Sequence, residues 1–170
     1  MTYDLIVIGG GSGGSATARR AAGYGAKVCI IEKGPTRDAA GKRTGAGMGG
    51  TCVNVGCVPK KIMFMAASER ETLSSGLLDG FGLASSSPPV DWAGLKARRD
   101  AYVAKLNASY TNNWQKAGID VVIGEASLVG PQKVRVVPSA GGETVLLEGE
   151  KILIAVGGVP APVARAALEP

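Results

Sequence analysis

Three short apolar runs stand out along the sequence and predict buried strands. They are YDLIVI at 3–8, KVCIIE at 27–32 and KILIAVGG at 151–158. Short continuous runs rich in β-branched residues are typical of parallel strands that are covered on both faces. Between the first two runs lie a glycine-rich turn and the segment SATARRAAGYGA, which favours a helix with Gly25 as its C-cap. The order strand, glycine turn, helix, strand predicts a βαβ unit.

The rest of the chain alternates between helical periodicity and polar stretches. Helices are predicted at 58–76 and at 92–116, the second with Asp91 as its N-cap. The segment 33–50 is rich in Gly, Lys and Arg, has no period, and predicts a long loop. After Gly118 the pattern predicts a small antiparallel meander with strands at 119–123, 126–129, 133–137 and 144–147.

These elements predict a three-layer, Rossmann-like α/β domain with a parallel sheet and a small antiparallel β-meander. A chain of 170 residues suffices for one hydrophobic core of this kind. We expect the domain to occupy 1–158, with 159–170 as an irregular tail. The long helix, taken as 91–117 with its flanking residues, should pack near the two cysteines at 52 and 57.

Composition and charge narrow the possible functions. The chain has a net charge of +5 and no histidine, which excludes a histidine triad, switch or metal site built from its own residues. Its basic residues are scattered, so we expect no nucleic-acid partner. The apolar runs are shorter than the roughly 18–20 residues of a membrane span, and no targeting segment precedes the first strand. We therefore expect a cytoplasmic protein with no membrane partner.

The glycine turn carries the pattern Gly9-x-Gly11-x-x-Gly14, and Glu32 ends the second predicted strand. Between a strand and a helix, this pattern indicates a dinucleotide site. The first glycine permits the tight turn, the second lets the backbone approach a pyrophosphate, and the third lets the helix pack on the strand. Glu32 would accept hydrogen bonds from the adenosine ribose and disfavour a 2′-phosphate. The sequence thus predicts FAD or NAD in this site rather than NADP.

Cys52 and Cys57 lie in the stretch GGTCVNVGCVPKK, at positions i and i+5. Zinc would need more ligands than this chain offers, and we predict no metal site. A structural disulfide is disfavoured in a reducing compartment, which leaves a redox pair or two inert thiols. In an ideal helix their Cα atoms would be roughly 8–9 Å apart, beyond the ~7 Å limit for a disulfide. A bond between them would therefore require a break in the helix.

The surroundings of Cys52 predict a reactive thiol. Thr51 as an N-cap would place Cys52 near the positive end of a helix, and Lys60 and Lys61 add positive charge. Both influences lower a thiolate pKa and make the thiol a better nucleophile. The third cysteine, Cys29, lies inside the second predicted strand and is interpreted as a small buried hydrophobic residue.

At this point the residues point to a known family. The stretch GGTCVNVGCVPKK resembles the redox motif of the flavin-dependent pyridine-nucleotide disulfide oxidoreductases, and GGGSGG with Glu32 looks like their FAD-binding start. Within that group, KARRDAYVAKLNASYTNNWQKAGIDVVIGEA is similar to the glutathione reductases, more than to the thioredoxin or trypanothione reductases. The resemblance covers residues 3 to about 160.

The resemblance implies a role for individual residues. Cys57 would face the flavin, Cys52 would attack glutathione disulfide, and Lys60 would lie by the reactive edge of the flavin. Glutathione would contact Ser12, Arg19 and Tyr110, although Tyr110 is also open to interpretation as a core aromatic residue. The positions expected to bind FAD are Gly9, Gly11, Ser12, Gly13, Gly14, Glu32, Gly50, Thr51, Cys52, Lys60, Ala126 and Gly157.

Two departures from the family pattern limit what the resemblance implies. The loop 33–50 is longer than the usual connection, which weakens the choice of substrate. The chain also has a single GxGxxG between a predicted strand and a predicted helix, and no histidine, whereas the family adds an NADPH unit and a C-terminal interface domain that forms a homodimer. We therefore expect an incomplete reductase that holds FAD but lacks the NADPH site. The alternatives are a thioredoxin reductase-like enzyme and a non-catalytic flavin-binding fragment.

Overall fold

A computed structural model describes residues 2–35, 46–84, 86 and 89–158. The predicted tail and the centre of the predicted loop, at 159–170 and 36–45, lie outside this part of the chain. The strands are β1 (Thr2–Ile8), β2 (Val28–Glu32), β3 (Asp120–Gly130), β4 (Lys133–Pro138) and β5 (Val145–Ile154). The helices are α1 (Ser12–Gly23), α2 (Gly50–Asn54), α3 (Cys57–Ser74) and α4 (Trp92–Lys116), with a 3-10 helix at Leu77–Phe81.

The sheet combines a parallel part and an antiparallel part. Strand β1 pairs in parallel with β2 and with β5, and β2 pairs in parallel with β3. Beyond these ladders, β3 and β5 each pair antiparallel with β4, which closes the five strands into a ring. The predicted α/β fold with a parallel sheet and a small meander is confirmed.

Two pairs of predicted strands are in fact single strands. Strand β3 contains 120–123 and 126–129 of two predicted strands, and β5 contains 145–147 of one and 151–154 of KILIAVGG, whose last four residues lie outside it. Glycines allow these strands to pass from one ladder to the other. A Cβ on Gly124 would lie 2.5 Å from the carbonyl oxygen of Val137, and one on Gly149 would lie 2.8 Å from Cγ1 of Ile6. The strands continue through these glycines because only a residue without a side chain fits there.

The core has two parts, one on each face of the parallel sheet. On one face the sheet packs against α1 and α4, with Trp114 fully buried at the centre. On the other face it packs against the meander. The domain therefore has the three layers that the sequence predicts: helices, the parallel sheet and the meander. The first cluster consists of Val7, Ala18, Val28, Ile30, Trp114 and Ile119, and the second of Tyr3, Ile6, Cys29, Ile31, Val134, Val136 and Leu147.

The helix ends agree with the sequence only in part. Helix α4 has the predicted bounds, and the Asp91 side chain accepts a hydrogen bond of 2.9 Å from the Gly94 N–H, which confirms the N-cap. Helix α1 ends at Gly23 with Tyr24 as its C-cap, so the prediction of Gly25 as the C-cap is wrong by one residue, and Gly25 follows the cap at φ +90°. The predicted helix 58–76 begins at Cys57 and ends at Ser74. No helix in the described ranges is long and apolar enough to cross a membrane.

Candidate dinucleotide and dithiol site

The glycine turn between β1 and α1 is tightly packed. Gly9 has φ +107°, and a Cβ there would lie 2.4 Å from the carbonyl oxygen of Ala155 on the neighbouring chain segment. A Cβ on Gly14 would lie 1.9 Å from the carbonyl oxygen of Gly9, so only glycine lets α1 start this close to the strand. These two glycines have the structural roles that the motif predicts.

Gly11 differs from Gly9, Gly10 and Gly14 because a Cβ there would meet no close contact. The nearest atom to a Cβ on Gly11 would be the Cα of Gly50, at an ordinary contact distance of 3.6 Å. Gly50, at φ +67°, crosses Gly11 so closely that its own Cβ would lie 2.7 Å from the Cα of Gly11. The Gly49 N–H also donates a 3.0 Å hydrogen bond to the Gly10 carbonyl. The dinucleotide turn and the cysteine segment are therefore joined backbone to backbone.

Glu32 is buried at the end of β2, with 6% of its surface exposed. Its Oε2 accepts a hydrogen bond of 2.7 Å from the Gly10 N–H, and its Oε1 accepts one of 2.8 Å from the Gly34 N–H. Each carboxylate oxygen has a further lone pair for a ligand hydroxyl. The backbone thus holds the carboxylate at the edge of the cleft that the turn forms.

A cleft of about 940 Å³ runs from this turn to the two cysteines. Two of the residues predicted to bind the cofactor do not line this cleft. Gly14 packs beneath the glycine turn, and Lys60 is exposed near the start of α3. Arg19 and Tyr110 line a different cavity. The residues predicted to bind the cofactor that do line this cleft are Gly9, Gly11, Ser12, Gly13, Glu32, Gly50, Thr51, Cys52, Ala126 and Gly157, and Cys57 lines it with them.

The helix is broken between the two cysteines, as a bond between them would require. Helix α2 ends at Asn54, and α3 begins at Cys57 after Val55 at φ −141° and Gly56 at φ −123°. A Cβ on Gly56 would lie 3.0 Å from the carbonyl oxygen of Thr51, so a side chain at this break would be crowded. Both cysteines are free thiols, and they are in hydrogen-bonding contact with each other.

The predicted environment of Cys52 is wrong in two respects. The N-cap of α2 is Gly49 at φ +83°, not Thr51, which lies within the first turn and makes no side-chain cap. The hydrogen bond with Cys57, followed by burial, raises the pKa of Cys52 above its ordinary value. The positive charge of Lys60 lowers this pKa as predicted, but it is the smaller influence. Contact between the two thiols therefore stabilises the protonated form of Cys52.

Residues 3–167 match the pyridine nucleotide-disulphide oxidoreductase family. The chain belongs to this family. It is 44% identical to a glutathione reductase of Yarrowia lipolytica over 164 residues, which cover 93% of this chain and 32% of that protein. It is also 45% identical to a glutathione reductase of Schizosaccharomyces pombe over 158 residues, which again cover 93% of this chain and 32% of that protein. A glutathione reductase of Debaryomyces hansenii is 41% identical over 179 residues, covering 92% of this chain and 34% of that protein.

The predicted resemblance to glutathione reductases is thus confirmed, and the chain spans about a third of the length of the curated relatives it matches. Nine-tenths of this chain enters the alignments, including both the glycine turn and the cysteine stretch of residues 49–61. The matched range therefore includes the segments that form the cleft.

The three residues predicted to bind the substrate lie together in a second cavity. Ser12, Arg19 and Tyr110 all line a cavity of about 300 Å³ between α1 and α4. Ser12 also lines the larger cleft, so the two spaces meet at the start of α1. Tyr110 is half-buried and its ring meets that of Trp114 edge-on at 5.9 Å, so it serves the core as well as the cavity.

An asparagine network that the sequence analysis missed fixes the cysteine segment to α4. The Asn54 amide donates to the carbonyl oxygens of Met48 and Gly50, each at 2.9 Å. The Asn107 amide donates to the same Met48 carbonyl at 2.7 Å and to Oδ1 of Asn54 at 3.0 Å. The predicted packing of the long helix near the cysteines is confirmed. The Asn in the motif was visible in the sequence, but its partner on α4 was not.

The sequence analysis also missed the contact of Trp114 with the turn. A Cβ on Gly10 would lie 2.6 Å from the indole of Trp114 and 3.0 Å from Oε2 of Glu32. Gly10 is not among the motif glycines, yet it has no room for a side chain.

Among the residues the structure describes, no group of three or more Cys, Asp or Glu side chains is placed to hold a metal ion.

Proposed function

We propose that this chain forms the FAD-binding and dithiol-bearing part of a flavoprotein that reduces glutathione disulfide to glutathione with electrons from NADPH. The observation that carries the proposal is that one cleft is lined by the dinucleotide turn, by Glu32 and by two thiols in mutual contact. The similarity to glutathione reductases supports the choice of substrate. A reducing cytoplasm, as proposed from the sequence, would suit a cysteine pair that cycles between thiol and disulfide.

The residues of the cleft fit FAD. Gly11 lines the cleft at the N-terminus of α1, where backbone N–H groups and the helix dipole favour a pyrophosphate. Glu32 would accept hydrogen bonds from ribose hydroxyls, and Ala126 and Gly157 also line the cleft. The same cleft, of about 940 Å³, is lined both by this turn and by Cys57. When bound, FAD would supply a two-electron carrier between a nicotinamide and the cysteine pair.

The reduced cysteine pair can reduce a disulfide by two thiol exchanges. The Cys52 thiolate attacks one sulfur of glutathione disulfide, the sulfur–sulfur bond breaks, and the first glutathione leaves as a thiolate that takes up a proton. The Cys57 thiolate then attacks the Cys52 sulfur, the mixed disulfide breaks, and the second glutathione leaves. The two protons of the cysteine thiols end on two glutathione molecules, and Cys52 and Cys57 become a disulfide. The division of labour between the two cysteines stays a prediction.

The cavity between α1 and α4 supports a peptide disulfide as the substrate. Arg19 offers a guanidinium for a carboxylate, and the Ser12 hydroxyl and the Tyr110 phenol offer further polar contacts. Glutathione carries two carboxylates, which suits this set. Lys60 is close enough to lower the pKa of Cys52 electrostatically, so we propose that it assists the thiolate rather than lining the cofactor cleft. The homodimer remains a proposal taken from the family resemblance.

The purified 170-residue protein tests the proposal. We expect it to bind FAD, seen as flavin absorbance that stays with the protein through gel filtration, and to reduce glutathione disulfide once when its thiols are reduced beforehand. Cys52→Ser should abolish this single turnover, whereas Cys29→Ser should retain it. These residues include one GxGxxG between a strand and a helix and no histidine, so we expect negligible NADPH-dependent turnover from them alone. Absence of bound flavin, or equal single turnover in Cys52→Ser, would contradict the proposal.

A further inference from the structure

The carboxyl end of β2 presents two opposite charges to the same cleft. Glu32 is buried and held by backbone N–H groups, and Lys33 follows it directly and also lines the cleft. In dinucleotide sites, an acidic residue here suits a free ribose diol, whereas a nearby cation suits a ribose 2′-phosphate. Glu32 therefore favours a dinucleotide with a free ribose diol, and Lys33 favours one with a ribose 2′-phosphate. Which of the two side chains dominates depends on the surroundings of Lys33.

The Lys33 ammonium is paired across the sheet with Glu125. Its Nζ donates to Oε1 of Glu125 at 2.8 Å. Glu125 follows Gly124 on β3, where the strand leaves the parallel ladder, and it lines the cleft as well. The Lys33 side chain is 36% exposed against 67% for Glu125, so the cation is the more enclosed partner.

The peptide group that follows Lys33 is held at both of its polar atoms. The Ser139 hydroxyl donates to the Lys33 carbonyl at 3.1 Å, and the Ser139 N–H donates to the Ile123 carbonyl at 3.1 Å. The N–H of the same peptide group, that of Gly34, donates to Glu32. Beyond this fixed peptide, the Lys33 ammonium is held by its ion pair with Glu125.

Stability alone does not account for this pair. Ion pairs between solvent-exposed side chains contribute little to folding, since solvent screens them and ordering two long side chains costs entropy. A charge pair beside a ligand cleft can instead alter the local potential that a charged ligand meets. At this place, that ligand group is the adenosine ribose or its phosphate.

We propose that Glu125 sets the ribose specificity of the cleft by holding Lys33 away from a ribose 2′-phosphate. The inference rests on the proposed function, in which this cleft holds an adenine dinucleotide. With Lys33 paired, the Glu32 carboxylate dominates at the ribose and repels a phosphate. With Glu125 neutralised, the Lys33 ammonium becomes available to 2′-phosphorylated adenine nucleotides.

Calorimetric binding of two probes to the purified protein, ADP and adenosine 2′,5′-bisphosphate, tests the inference. We expect the wild type to bind ADP more tightly. Glu125→Gln should shift the ratio of the two dissociation constants toward the bisphosphate by about tenfold, the scale of one charge-assisted hydrogen bond to phosphate. The double variant with Lys33→Met should return to the wild-type ratio. Higher salt should reduce the shift.

Glu148→Gln is the matched control, because Glu148 forms an exposed 3.0 Å ion pair with Lys133 outside the lining of the cleft. An unchanged ratio in Glu125→Gln, or an equal shift in Glu148→Gln, would overturn this inference but leave the proposed function standing. If the wild type binds neither ADP nor FAD, the proposed function fails and this inference fails with it.

Discussion

The indole Nε1 of Trp114 donates a hydrogen bond of 2.8 Å to the hydroxyl of Ser15, and both residues are buried. The bond joins α4 to the first turns of α1, immediately below the glycine turn. The same indole packs against Gly10, whose N–H binds Glu32. A single aromatic side chain therefore supports both the turn and the carboxylate of the candidate cofactor site.

Ser15→Ala should lower the free energy of unfolding by about 1–3 kcal/mol, because it leaves the buried indole N–H without its acceptor. Urea denaturation followed by circular dichroism measures the loss. Ser68→Ala, at an exposed position of α3, is the control and should change stability little. In a Trp114→Phe background, the Ser15 substitution should cost less, and an equal cost in both backgrounds would argue against this hydrogen bond as the cause.

The glycines of the turn should respond differently to alanine. Gly14→Ala places a Cβ 1.9 Å from the backbone oxygen of Gly9, so we expect severe destabilisation, at or above the ~1–3 kcal/mol of typical overpacking. Gly11→Ala fits the fold, since Gly11 has φ −75° and ψ −170° and its Cβ meets only an ordinary contact. It should keep the wild-type melting temperature but lose FAD.

Gly23→Ala is the matched control for both glycine variants, because nothing lies within 4 Å of its Cβ position. It should retain both stability and FAD. Thermal melts and flavin absorbance after gel filtration measure the two properties. A Gly11→Ala protein that holds FAD as the wild type does would show that the cofactor does not approach this turn.

The pH dependence of Cys52 alkylation should reveal its contact with Cys57. The hydrogen bond with Cys57 raises the Cys52 pKa, so the alkylation rate of the reduced protein should reach half its maximum above the ordinary thiol pKa. Cys57→Ala should move this midpoint to lower pH. Lys60→Met should move it to higher pH, because the Lys60 charge lowers the pKa, and Lys61→Met serves as its control. Midpoints that are the same with and without Cys57 would contradict the described contact.

Stability should fall in alkaline solution because of Cys29. Burial raises its pKa from 9.0 to about 12, so from pH 9 to pH 12 the thiol ionises in the unfolded chain before it does so in the fold. Its contribution is fully present below pH 9 and is lost as the pH rises, by up to about 1.4 kcal/mol per pH unit. Denaturation at pH 8, 9 and 10 measures the slope, which Cys29→Ala should reduce. Tyr3, whose pKa is also raised by burial from an ordinary value of 10.0, should add to the slope above about pH 10.

The sequence was sufficient where local patterns determine the structure. The apolar runs, the glycine turn and the capping residue Asp91 were all read from neighbouring residues. The continuity of β3 through Gly124 was missed, because it depends on a close contact with Val137, which belongs to another strand. The acidity of Cys52 was misjudged for a similar reason, since the break at Gly56 brings Cys57 against it.

The site was predictable in its parts but not in its connections. Glu32 and the cysteine pair were identified from their motifs, and the structure places them in one cleft. The hydrogen bond between Asn54 and Asn107 joins residues that are distant in the sequence, and no local pattern pairs them. The separation of Arg19 and Tyr110 into a second cavity follows from the crossing of α1 and α4, which is a tertiary feature.

The pairing of β1 with β5 also affects how the protein is made. Thr2 pairs with Glu148 and Ile8 with Ile154, so one edge of β1 is paired only after β5, the last described strand, has been made. Contacts this far apart in the sequence slow folding, because the intervening chain must be ordered first. During synthesis, this edge of β1 therefore has no partner strand until residue 154 has emerged, and an unpaired strand edge is prone to aggregation.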